Sequence, residues 1–180
     1  MNFRIEAGLL LFLLPAFTLA NGLSPEQLYH TVGGYGCAAC HGKYAHGGGY
    51  VGGNIRAATR EQLDNALQTE PSMLLLAEVL DENKRNLLSS YLAELGQKQL
   101  VEWRIGESDA PKAVKIKAGD DVQLVIFNGT FERLSVDLSA LDAAADYQID
   151  AYDTHAITWS AKAGDYLLSV NNEHFTINVD

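Results

Sequence analysis

The spacing of apolar residues changes at Gly96, and this change constrains the fold more than any other feature of the chain. Before Gly96, apolar side chains recur at the three- and four-residue spacing of amphipathic helices. After it, short runs alternate apolar and polar residues and are separated by turn signals such as Asn128-Gly129, which is typical of β-strands. The sequence therefore predicts two domains, the first all-α and the second all-β.

The helical part carries clear start and stop signals. Ser24-Pro25-Glu26-Gln27 is a capping box with proline at the first helical position, so a helix is expected to begin there. A last helix is predicted from Glu82 to Leu95, because Gly96 is a natural C-terminal stop. Leu28 or Tyr29 is expected to make the contact between the first and the last helix.

The second part is predicted to be a β-sandwich, since seven short strands in about eighty residues are typical of that architecture. The strands are expected near Ala113–Lys117, Val122–Phe127, Arg133–Leu138, Tyr147–Ala151, Ala156–Ser160, Tyr166–Val170 and His174–Val179. The segments Ile116–Val122 and Ala163–Tyr166 resemble cupredoxin sandwiches, and an immunoglobulin-like sandwich fits nearly as well. A blue-copper site needs a cysteine thiolate with two histidines. No cysteine follows Cys40, so a cupredoxin-like domain here is expected to lack copper.

The first twenty residues have the order of a secretory signal. One early positive charge, Arg4, precedes an apolar run from Leu9 to Leu14 and a small-residue end at Ala20. Cleavage after Ala20 and a periplasmic location are predicted, and contact with a membrane is expected only if this segment is retained as an anchor. The predicted division of the chain is a signal peptide at 1–20, a helical domain at 21–97, a boundary at 98–103 and a β-sandwich at 104–180.

Acidic residues are concentrated in the second part of the chain. From Leu100 to Asp180, fourteen Asp or Glu stand against six Lys or Arg. This charge argues against nucleic acid and anionic lipid as partners. It is compatible with redox partner proteins that carry basic docking patches, and equally with a general role in solubility.

Both cysteines of the chain lie in one motif, Cys37-Ala38-Ala39-Cys40-His41. Cys-x-x-Cys-His is the attachment signature of c-type haem, in which both thiols bind the haem covalently and the histidine binds its iron. A thioredoxin-like pair would need a βαβ pattern, and a zinc site would need a second ligand pair. A disulfide would leave His41 without a role. One covalent haem c is therefore predicted.

Met73 is the candidate for the second iron ligand. It is the only methionine after the predicted signal, and it follows Pro71-Ser72, which breaks the preceding helix. His46, in a glycine-rich loop, is the alternative ligand. Tyr44, Tyr50 and Arg56 are candidates for contacts with the haem propionates, because phenols and cations suit carboxylates.

These features together resemble the class I cytochrome c family. The resemblance covers about residues 24–97 and rests on Cys37–Gly42, the loop to Asn54-Ile55, the helix at Glu61–Leu63, Met73, and the helix ending Tyr91–Leu95. It implies His41 and Met73 as the two axial ligands of the iron. Members of the family commonly have proline where this chain has Gly53, and the Gly53 carbonyl is expected to accept the hydrogen bond of the His41 ring.

The function predicted from these features is periplasmic electron transfer by a single c-type haem, without catalysis by the chain itself. The acidic sandwich would then serve docking or assembly. A haem-based sensor or small-ligand binder, and an electron-transfer subunit of a periplasmic oxidoreductase, are the alternatives. His155 and His174 are expected at surface or turn positions rather than in a metal site, since two histidines lack a third ligand.

Overall fold

The computed structural model describes residues 22–49, 51–142 and 146–180. The predicted signal peptide therefore lies outside the described residues, as does Tyr50. Within the described ranges, no helix combines the length and the apolar character needed to cross a membrane.

Residues 22–97 form the helical half. Its helices are α1 (Pro25–Thr31), α2 (Ala38–His41), α3 (Arg60–Thr69) and α4 (Glu82–Gly96), with a 3₁₀ turn at Leu74–Leu76. The predicted capping box is formed: the Gln27 backbone N–H donates to Ser24 Oγ over 3.1 Å, and the Ser24 N–H donates to Gln27 Oε1 over 2.9 Å. Helix α1 packs on α4 through the fully buried Tyr29, whose ring centroid lies 5.4 Å from that of Tyr91.

Residues 98–180 form the sandwich half, which has its own cluster of buried apolar side chains. Its strands are β1 (Gln99–Ile105), β2 (Ala113–Ile116), β3 (Asp121–Asn128), β4 (Leu134–Val136), β5 (Tyr147–Ile149), β6 (Thr154–Ser160), β7 (Gly164–Val170) and β8 (Glu173–Val179). The sheets have the orders β1-β3-β6, β2-β8-β7 and β4-β5. The pairs β1–β3 and β2–β8 are parallel, and the other pairs are antiparallel.

The predicted strands agree with the observed ones to within a few residues. The reason is that apolar and polar residues alternate in this half where one face of a strand is buried. Val122, Leu124 and Ile126 of β3 face the core and are fully buried. The stretch from Gln97 to Trp103, predicted as a short linker or a first edge strand, overlaps β1, which lies at the edge of its sheet.

The predicted fold class is contradicted in its first part. An all-α cytochrome c domain was expected before Gly96, but the protein is mainly β-sheet with few short helices. Helix α1 has seven residues and α2 has four, and the stretch between α2 and α3 consists of turns and bends. The physical reason is the glycine content: six of the residues from Gly42 to Gly53, both included, are glycine, and glycine disfavours helix because it loses the most backbone freedom on folding.

Strand β3 is buried on both of its faces. Gln123 and Val125 point away from the sandwich core, yet they are only 7% and 2% exposed. An antiparallel or mixed sheet with one free face would show exposed polar residues there. The sheet β1-β3-β6 is therefore covered on its outer side as well, and the helical half supplies that cover.

Candidate cofactor cavity

Cys37 is the N-cap residue of the short helix α2, and Cys40 lies within that helix. The Cys37 backbone N–H donates to the Tyr29 carbonyl over 2.8 Å, and the His41 N–H donates to the Cys37 carbonyl over 2.9 Å, which ties the motif to α1 and closes one helical turn. Cys37 and Cys40 are free thiols and are partly buried. Burial raises the pKa of the Cys37 thiol to about 11, so this side chain is a neutral thiol at neutral pH.

The glycine-rich loop lies directly on this motif. The Gly52 N–H donates to the Cys40 carbonyl over 2.8 Å. A Cβ atom at Gly52 would lie 2.7 Å from both the Cys40 oxygen and His41 Cε1, and one at Gly49 would lie 2.7 Å from the Ala39 oxygen. Only glycine allows the loop to approach the motif so closely.

The orientation of His41 is set by Gly53. His41 Nδ1 lies 2.9 Å from the Gly53 carbonyl oxygen. Because a carbonyl only accepts hydrogen bonds, Nδ1 carries the ring proton and Nε2 keeps its lone pair. The imidazole is therefore held in the tautomer that binds a metal through Nε2.

A cavity of about 530 Å³ opens beside this histidine. Cys40 and His41 line it together with the loop residues 51–58, and Met73 lines it from the segment between α3 and the 3₁₀ turn. The site thus combines an imidazole, a thiol and a thioether, which are ligands for soft and borderline transition metals. Met73 is the only methionine among the described residues.

Helix α3 contributes a wall that the sequence analysis did not assign to the site. Gln62, Leu63 and Ala66 line the cavity, as does Leu92 of α4. The spacing of the three α3 residues places them on one helix face. That spacing can be seen in the sequence. Whether this helix face lines a cavity, however, depends on how α3 packs against the loop.

The other predicted residues lie in different surroundings. Arg56 lines the cavity, but its guanidinium donates to the carbonyls of Leu95, Lys98 and Tyr44 and to Gln123 Oε1. Tyr44 lies away from the cavity lining, against the backbone of Ala156.

His46, the alternative iron ligand, does not line the cavity. It is 7% exposed and its Nδ1 has no hydrogen-bond partner. Its ring lies between Gly42 and Gly48, where a Cβ on Gly42 would come within 2.7 Å of the ring. Burial, and then the positive charges of Arg104 and Arg56, lower the pKa of His46.

The histidines of the sandwich half do not form a metal site. His174 Nδ1 lies 2.8 Å from Ser169 Oγ, and the His155 ring packs on Tyr147 with a centroid distance of 4.4 Å. Among the described residues there is no group of three His, Cys, Asp or Glu side chains placed to hold a metal ion. The sandwich half contains no cysteine, so a blue-copper centre does not fit its residues.

Several solved structures that are similar to part of this chain are copper proteins. No family model matches it, and no curated protein sequence matches it. A copper-binding protein solved in its apo form covers 47% of this chain and 89% of its own, with 10% identity and a TM-score of 0.37. Auracyanin from Roseiflexus castenholzii covers 47% and 99%, with 13% identity and a TM-score of 0.36. Auracyanin A from Chloroflexus aurantiacus, a "blue" copper protein, covers 45% and 98%, with 13% identity and a TM-score of 0.34.

These comparisons contradict part of the sequence analysis. The class I cytochrome c assignment, the covalent haem c and electron transfer through that haem are corrected, because no family model matches the chain and the protein is mainly β-sheet with few short helices. The Cys-x-x-Cys-His motif specifies donor atoms at a short spacing and does not by itself specify the group that they hold.

Proposed function

We propose that this protein is a non-enzymatic electron carrier whose redox-active transition metal is held in the cavity lined by His41, Met73 and Cys40. The observation that carries the proposal is the hydrogen bond from His41 Nδ1 to the Gly53 carbonyl, 2.9 Å long, in a cavity that a thioether also lines. It leaves Nε2 of His41 as a donor atom of fixed tautomer.

Each residue has a defined task in this proposal. His41 supplies a neutral imidazole nitrogen, whose basicity is raised by the hydrogen bond to Gly53. Met73 supplies a soft thioether, which favours the reduced state of the metal. Leu63 and Leu92 contribute apolar surface to the cavity, and Gln62 and Arg56 contribute polar groups. When bound, the metal supplies one-electron chemistry.

Substitution of Met73 tests the proposal most directly. The protein is purified with its native metal, its metal content is determined by elemental mass spectrometry, and its midpoint potential is measured by optical titration. Met73→Leu keeps the side-chain volume and removes the sulfur, so a lower potential is expected with the fold intact. Leu92→Met is the matched control, since it makes the reverse change in the same cavity; it should leave the potential near that of the wild type.

A chemical probe gives a second readout. Met73 is expected to be oxidised by hydrogen peroxide more slowly in the metal-loaded protein than in the metal-free protein, because coordination ties up the sulfur lone pair. A protein that holds no redox-active metal in stoichiometric amount would refute the proposal. So would equal peroxide reactivity of Met73 with and without metal.

A further inference from the structure

The outer side of the sandwich is covered, although it lies away from the sandwich core. We define the outer face as the side of sheet β1-β3-β6 that carries Gln123 and Val125. In the described residues these two side chains are almost completely buried, although they point away from the sandwich core. This face is shielded from solvent, which indicates a structural task for it.

The helical half reaches this sheet through long cationic side chains. Lys43 Nζ donates to the Thr154 carbonyl over 3.0 Å and lies 3.3 Å from Asp153 Oδ1. Arg56 donates to Gln123 Oε1 on β3. These contacts join residues that lie 67 or more positions apart in the sequence.

Arg56 differs from Lys43 because it also belongs to the cavity wall. Its guanidinium joins three parts of the chain: the Tyr44 carbonyl of the glycine-rich loop, the Leu95 and Lys98 carbonyls at the end of α4, and Gln123 of the sheet. The planar fork of arginine can hold several acceptors at once, which the single ammonium of lysine cannot do in the same geometry. Burial lowers the pKa of Arg56, but a guanidinium remains charged at neutral pH.

The backbone around Arg56 is held in a strained conformation. Ala57 has a φ of 62°, a left-handed value that is unfavourable for a residue with a Cβ atom. Its N–H donates to the Leu92 carbonyl over 2.8 Å, and Gly96 packs so closely that a Cβ there would lie 2.7 Å from Ala57 Cα. Such a conformation persists only when its surroundings fix it. Here the surroundings are the end of α4 on one side and the Arg56 contacts on the other.

From this geometry we infer that Arg56 is a positioning residue that fixes the cavity wall to the outer face of the sheet. The sandwich half is then a scaffold for the cavity, and both halves move as one rigid body. This holds whichever group occupies the cavity, so it can fail or succeed independently of the electron-carrier proposal. It also gives the sandwich a task that needs no copper ligands.

Gln123→Leu is the decisive variant, because Gln123 touches Arg56 but does not line the cavity. It removes the acceptor at similar side-chain volume. Amide hydrogen exchange at Ile55 and Ala57, whose N–H groups donate to the carbonyls of Ala45 and Leu92, should become faster by about tenfold, as expected for loss of one hydrogen bond to a charged donor. Exchange in β8 should stay within about twofold of the wild type, since local opening does not require unfolding of the second sheet.

Three further measurements keep the inference open to refutation. Gln148→Leu, at an exposed position of β5, is the matched control, and it should leave exchange at Ile55 and Ala57 unchanged. Arg56→Lys keeps the charge but loses the fork, so it should behave like Gln123→Leu rather than like the wild type. In the unaltered protein, nuclear spin relaxation should give one rotational correlation time for both halves. Two different correlation times, or unchanged exchange in Gln123→Leu, would overturn the inference.

Discussion

Replacing Gly52 and its neighbour Gly53 by alanine, one at a time, tests how the loop holds His41. The two glycines are adjacent in the sequence, and neither has a positive φ. A Cβ at Gly52 would lie 2.7 Å from the Cys40 oxygen and from His41 Cε1, and closer still to His41 Nδ1. A Cβ at Gly53 would meet no atom within 4 Å. The first change must move the imidazole, and the second need not move anything.

The expected effects have opposite signs. In Gly52→Ala, forcing a methyl group into a filled site costs about 1–3 kcal/mol of stability. Displacing the ring also weakens the bond between His41 and Gly53, which adds about 1 kcal/mol. In Gly53→Ala, the unfolded chain loses conformational freedom, which stabilises the protein by about 0.4–1 kcal/mol. The two variants should therefore differ by roughly 3 kcal/mol in free energy of unfolding.

Urea unfolding of both variants measures this difference, and nitrogen-15 spectra of the imidazole report the His41 tautomer. Gly53→Ala should keep the Nδ1–H form, whereas Gly52→Ala should show a mixture of tautomers. Equal stability of the two variants would show that the loop does not press on His41, and the argument for a fixed Nε2 donor would then fail.

Three further predictions concern stability. In Gly96→Ala, the gain of about 1 kcal/mol in helix propensity should be outweighed by the contact with Ala57, so the urea midpoint should fall; an increase would contradict the close packing described here. The pKa of His46 is lowered in the folded state. As pH falls through about 6.5, His46 is therefore protonated in the unfolded chain before it is protonated in the folded protein. Stability should decrease from pH 7 to pH 5, and His46→Gln should flatten that slope in unfolding curves; an unaltered slope would mean that His46 is not the responsible group. Asn128 is fully buried and its amide donates to the carbonyls of Glu132, Ile149 and Asp150, so Asn128→Leu should cost about 3 kcal/mol or more in thermal unfolding, and a loss below about 1 kcal/mol would refute this network.

Local patterns in the sequence predicted local structure well. The capping box at Ser24 is formed as expected, and the last helix, predicted from Glu82 to Leu95, extends from Glu82 to Gly96, because capping and termination depend on residues within one turn. The alternation of Val122, Leu124 and Ile126 predicted the core face of β3 for the same reason. The side of a strand that faces the core can therefore be predicted from the alternation of apolar and polar residues within that strand.

Features that depend on distant residues could not be predicted in this way. Gln123 occupies a position that alternation assigns to solvent, and its burial depends on Arg56, 67 residues earlier. The cavity is a similar case, since Met73 and His41 were singled out individually but the α3 wall was not. The motif at Cys37–His41 indicated donor atoms, and the step from those donors to a particular family was contradicted by the comparisons.

The parallel pairing of β2 with β8 has a consequence for the synthesis of this protein. Ala113 pairs with Thr176 and Ile116 with Val179, so β2 has no partner until residues 176–179 have left the ribosome. Sheet β1-β3-β6 needs only residues up to Ser160, and it can form earlier. In the nascent chain, the sandwich would thus be incomplete and its apolar inner side would be exposed. Such a state is prone to aggregation and can be bound by chaperones. A stop codon shortly before Val170 would leave the protein permanently in that state, and proteolysis would then remove it even though every cavity residue had been made.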